Sequence, residues 1–199
     1  MRRTSAHLAR PFPLRRTLCL AAVLALAGCG GGGTSSGGAT AVSPAASAPA
    51  AAGSTCALAN FQASSLALVN QYRAAGATCG SHGTFAPAAA LSWNGLLTQA
   101  AEGHSQDMVA HNFFAHDSFD GRTFDQRFTA AGYAWSRAAE NIAAGQMTIP
   151  EVMTGWMASD GHCANIMDPN LTEIGLVCVA GGAGNTYGTY WTMDLGKAR

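Results

Sequence analysis

The chain lacks most of the strings that announce an activity. Among its 199 residues there is no C-x-x-C pair, which argues against a thiolate metal knot, and no H-E-x-x-H, the local motif of zinc peptidases. No G-x-S-x-G elbow surrounds Ser159, so pairing that serine with His162 as a serine hydrolase has no support. No phosphate loop or dinucleotide fingerprint opens a predicted helix, and no internal repeat is visible. Charged residues are scarce, at 11% of the chain. The main apolar run, Leu18 to Leu26, is too short to span a bilayer.

That run instead has the form of an export signal. Arg2, Arg3, Arg10, Arg15 and Arg16 precede it, and Leu26-Ala27-Gly28-Cys29 ends it. Residues 1–28 are therefore read as a signal peptide, and the Leu-Ala-Gly-Cys ending resembles a bacterial lipobox. This implies cleavage before Cys29 and acylation of its thiol, with several acyl chains holding the protein at a membrane. The Arg15-Arg16 pair leaves both the general and the twin-arginine export route open. Residues 29–55, almost wholly Gly, Ala, Ser, Thr and Pro, read as a flexible tether that lifts a domain off the membrane.

Removing the signal leaves six basic against eleven acidic side chains, which argues against nucleic acid as a partner, since phosphate-backbone binding needs a basic face. Cys56 to Arg199, 144 residues, is long enough for one domain with its own core, expected to be a monomer. Four cysteines remain in it. In an oxidising compartment an even number predicts disulfides. Of three possible pairings, sequence locality favours Cys56–Cys79 and Cys163–Cys178, each stabilising by roughly 3 kcal/mol on the chain-entropy argument.

Helical spacing of Phe61, Leu66, Val69, Tyr72 and Arg73 predicts a helix over Leu58 to Ala75, ended by Gly76. Leu97, Ala101, His104, Met108 and His111 predict a second over Asn94 to Asn112, and Thr123 to Ala131 a third. Thr148-Ile-Pro-Glu151 is a capping box with proline in the first turn, opening a helix through Met157. Thr172 to Ala180 and Tyr187 to Leu195 form a predicted hairpin around a glycine-rich turn, with a further strand at Ala139 to Ala144. Helices followed by a terminal hairpin indicate an α+β fold.

The ordered set Leu66-x-x-Val69-Asn70-x-Tyr72-Arg73, Leu91-x-Trp93-Asn94, His116, Gly132-Tyr133, Glu140-Asn141-Ile142, Trp156-x-x-Ser159-x-Gly161-His162 and Tyr190-Trp191-Thr192 resembles the CAP superfamily. That superfamily comprises cysteine-rich secretory proteins, antigen 5 and pathogenesis-related 1 proteins, and the chain resembles its bacterial secreted, SCP-like branch. The resemblance implies a three-layer α-β-α sandwich with a central antiparallel sheet over residues 56–199. It also implies a cleft with two histidines and two glutamates. His116, Glu140 and His162 match three of these, and Ser159 stands where the second glutamate is usual.

Two imidazoles and a carboxylate are suited to holding a divalent ion such as Zn²⁺, or to moving protons. The reading that follows is an extracytoplasmic, membrane-anchored binding module whose partner is a lipid, a wall component or a protein. The alternative is a weak metal-assisted hydrolase using His116, Glu140 and His162. His104 and His111, with Asp107 between them, read as helix surface. His82 reads as an exposed loop residue, and the tryptophans as core.

Overall fold

The computed structural model describes residues 54–199; the segment read as a signal, Cys29 with its expected acylation, and most of the expected tether lie outside the described residues. Five helices and six strands follow in the order α1 (Phe61–Ala75), β1 (Ala77–Thr78), β2 (Thr84–Phe85), β3 (Ser92–Trp93), α2 (Gly95–His111), α3 (Phe124–Ala130), β4 (Trp135–Ala144), α4 (Ile149–Met157), α5 (Asp160–Met167), β5 (Glu173–Ala180) and β6 (Thr189–Ala198). The main sheet has the order β3-β5-β6-β4. Its long strands are antiparallel, with the short β3 added parallel to β5. β1 and β2 form a separate small hairpin. Among the described residues no helix is long and apolar enough to cross a membrane.

Alternation along the strands sends successive side chains to two layers of helices. On one face Ile174, Leu176, Cys178, Trp191, Met193 and Leu195 pack with α1, α4 and α5. On the other, Ile142 and Tyr190 meet Met108 of α2, while Leu97 and Ala100 of α2 pack with Phe128 of α3 and with Tyr133. The result is the three-layer α-β-α sandwich expected from the sequence. α2 lies so close to β5 that a Cβ at Gly175 would sit 2.2 Å from the Thr98 amide nitrogen, so only glycine fits there. The start of α2 is fixed by Asn94, whose Oδ1 accepts from the amides of Leu96 and Leu97 at 2.8 and 3.2 Å.

The motif residues of α1 serve the loops around it. Asn70 clamps the main chain of Leu91, accepting from its amide at 2.8 Å and donating to its carbonyl at 3.0 Å. The fully buried Arg73 donates to the carbonyls of Ala89, Ile166, Asp168 and Leu171 at 2.6–3.1 Å, fixing the end of α5. Burial pushes its pKa down, an effect partly offset by the charge of Asp168.

The expected disulfide pairing is wrong. The bridges are Cys56–Cys178 and Cys79–Cys163, with Cα separations of 5.3 and 5.4 Å. α1 explains why: its 15 residues extend about 22 Å and put Cys56 and Cys79 at opposite ends of a rigid rod. A bridge needs Cα atoms within about 7 Å. The sequence separations of 122 and 84 residues raise the entropic stabilisation to about 4.5–5 kcal/mol per bridge.

His104 departs from its reading as surface. It lies fully buried on the inner side of α2, with Nε2 2.9 Å from the Ala115 carbonyl, while His111 is exposed and paired with Asp107.

Candidate functional site

β4 is an edge strand, and the two helical layers meet over its free edge. The loop after α2 brings His116 from one layer; the first turn of α5 brings His162 from the other. Between them lies a groove of about 620 Å³, lined by His82, Phe85, His116, Arg137, Glu140, His162, Asn165 and Asp168. The three residues expected to converge line one groove despite their separation in sequence.

Glu140 is the hub. Its side chain is wholly buried, and its Oε1 lies 2.8 Å from His116 Nδ1. On its other side the buried Arg127 of α3 donates Nη2 to Oε2 in an ion pair. Arg127 Nη1 also reaches the carbonyls of His116 and Arg122, both at 3.0 Å, and Ser118 Oγ at 3.1 Å. One guanidinium thus neutralises Glu140 and shapes the loop that carries His116. The hydrogen bond and charge of Glu140 hold the His116 pKa above its usual value, against the opposing pull of burial and Arg127. His162 moves the other way, lowered first by burial and then by the charge of His116.

The α5 wall is tied to β4 by two asparagines. Asn141 Nδ2 donates to the His162 carbonyl at 3.1 Å, and Asn165 Nδ2 reaches Asn141 Oδ1 at 2.9 Å. The third wall is the β1–β2 hairpin. It is fastened to α5 by Cys79–Cys163 and by Asp160, which accepts from the amide and hydroxyl of Ser81 at 2.8 and 2.7 Å. Gly80 turns there with φ +49°, and a Cβ would lie 2.1 Å from Asp160 Oδ1.

Ser159 does not join His116 and Glu140. It lines a second cleft, of about 320 Å³, on the other side of His162, with Phe114, Ile142, Gln146, Val152 and Trp156. The proposed metal set is therefore not assembled. Both Glu140 oxygens are engaged and an arginine opposes its charge, while the second carboxylate position faces another cleft. Among the described residues no group of three or more His, Cys, Asp or Glu side chains has the arrangement of a metal site. The donors present do not fit a divalent ion.

Arg127 and Asp194 escaped the sequence reading. Asp194 of β6 lies opposite Glu140 in the sheet register and is fully buried, with no hydrogen-bond partner for either oxygen. Burial, then the charge of Glu140, raises its pKa well above the ordinary value. A carboxylate between Met193 and Leu195 in a mostly apolar strand is a signal that could have found it. For Arg127 no local signal existed.

Residues 66–195 match the cysteine-rich secretory protein family, CAP, and the chain belongs to that family, in its bacterial SCP-like branch. It is 41% identical over 103 residues to the uncharacterized protein YkwD of Bacillus subtilis, a match covering 51% of this chain and 37% of YkwD. It is 31% identical over 88 residues to the uncharacterized membrane protein YlbC of the same organism, covering 44% of this chain and 25% of YlbC. The matches thus span well under half the length of either relative. Among solved structures, an extracellular SCP-domain protein of Bacillus anthracis aligns with a TM-score of 0.49 at 28% identity, over 55% of this chain and 34% of that one. Venom allergen-like protein 4 of Schistosoma mansoni aligns with a TM-score of 0.49 at 15% identity, over 71% and 91%.

Proposed function

We propose that this chain is an exported envelope protein, held at the membrane by acylation of Cys29, that binds a ligand in the groove between His116 and His162. The observation that carries the reading is the Arg127–Glu140–His116 array. It holds one imidazole in a fixed, half-exposed pose and leaves the groove open in front of it. A prearranged polar wall with little left to order favours binding. Glu140 itself is buried against an arginine, so its part in the groove is to position His116.

Two bridges joining distant segments support residence in an oxidising compartment. Fractionation tests the anchor: wild type is expected with the membranes and Cys29→Ser in the soluble fraction. Equal partitioning of the two would remove it. For the groove, protein isolated from its own envelope is expected to carry a ligand detectable by mass spectrometry after extraction. Groove-blocking Gly161→Trp, whose glycine has open space before it, should lose that ligand.

A further inference from the structure

The groove and the second cleft adjoin at one residue. His162 lines both, and both follow the free edge of β4, the first beside Arg137 and Glu140, the second beside Ile142 and Ala144. From Arg137 to Ala144 is seven strand steps, about 23 Å. That is a trough for an oligomer, with His162 at its waist. Its two halves differ in chemistry. At the Arg137 end the two lining carboxylates are already matched within the protein, Glu140 by Arg127 and Asp168 by Arg137. What remains for a ligand is N–H donor capacity, on the imidazoles of His82, His116 and His162 and on the exposed part of the Arg137 guanidinium not bonded to Asp168, a surface to which oxygen-rich groups such as carboxylates can bond. At the other end Phe114 is 42% exposed and meets Tyr187, 39% exposed, edge to face at 5.9 Å.

We infer, building on the binding-module reading, that this continuous trough takes an acidic glycan strand. Its sugar rings would lie on Phe114 and its carboxylates would reach the histidines and Arg137. An extended peptide is the rival occupant, and it gains affinity by adding a strand to an open edge. Here that edge is plugged. The outward carbonyls of Glu140 and Ile142 already accept from Asn165 Nδ2 at 3.3 Å and from Trp156 Nε1 at 3.1 Å. A glycan needs no ladder of main-chain bonds.

The test is calorimetric titration of the full-length protein in detergent with a galacturonic acid hexamer, its trimer, a neutral chitin hexamer and an eight-residue acidic peptide. The acidic hexamer is expected to bind at least tenfold tighter than each of the other three. Phe114→Ala and Arg137→Gln should each weaken it at least fivefold with circular dichroism unchanged. Equal affinity for hexamer and trimer would remove the continuous trough, and preference for the neutral sugar or the peptide would overturn the ligand class. If the hexamer fails while some other envelope extract shifts the His116 and His162 resonances, the glycan inference falls and the binding module stands. If no envelope fraction shifts them, the binding module falls as well.

Discussion

Replacing Arg127 by Leu isolates the interaction on which the site depends. The guanidinium is 4% exposed and makes one ion pair and three further hydrogen bonds, to the His116 and Arg122 carbonyls and Ser118 Oγ. Its removal leaves Glu140 a buried carboxylate without its cation, beside His116 and Asp194. Breaking one half of a buried pair costs about 3–5 kcal/mol, because the remaining charge stays desolvated. Replacing both halves by apolar groups is far less damaging. Arg127→Leu alone is therefore expected to lose about 3–4 kcal/mol. The double variant Arg127→Leu/Glu140→Leu should lose no more than the single one, so that the coupling is at least as large as the loss Glu140→Leu shows alone. Urea unfolding at pH 7 with both disulfides intact measures this, provided the m-values agree. Strictly additive losses, or a single-variant loss under 1 kcal/mol, would show that the pair is not the hub described here.

Three other expectations follow from the same geometry. In an NMR titration His116 should titrate above the ordinary histidine value and His162 below it, and Glu140→Gln should bring His116 down toward His162. Because the folded pKa of His116 is raised, its contribution to stability is complete below about pH 6.5 and fades as pH rises through the folded value; His162, being lowered, contributes above that range and loses its contribution as pH falls. Asp194 is expected to be a neutral acid in the fold, so wild-type stability should fall as pH rises from about 4 toward its raised folded pKa, a slope that Asp194→Asn abolishes. An unchanged slope in that variant would mean that Asp194 is ionised or paired. Peptide mapping without reduction should recover Cys56–Cys178 and Cys79–Cys163, and a Cys56–Cys79 peptide would contradict the arrangement.

The sequence disclosed what repeats along one element and hid what depends on two. Spacing located α1, α2, α3 and α4 within three residues of their ends, and the capping box at Thr148 is present as read. α5 was missed. Only Ala158 and Ser159 separate it from α4, and its buried face, Cys163, Ile166 and Met167, is too brief to show a period beside Gly161 and Asn165. His116, Glu140 and His162 were legible because their neighbourhoods match the family. The hub beneath them was not. An arginine in an amphipathic helix reads as solvated surface until α3 is known to lie behind Glu140. The disulfides failed for the same reason, since closeness along the chain carries no information about the length of α1.

Cys56 forms its bridge to Cys178 five residues before α1 begins, and its amide also bonds the Cys178 carbonyl at 2.9 Å. Tension applied through the chain ahead of Ser54 therefore enters β5 by a covalent route and spreads to β6 and β4 across the antiparallel ladders. α1, the first element in sequence, lies outside that line of force and is not peeled away. A ligand gripped at the far edge of the same sheet would pull against the other end of this path. If the chain is anchored ahead of Ser54 and binds at β4 as proposed, the bridge that closes this long loop would make the sheet a tie-rod between the two, with the helices as passengers.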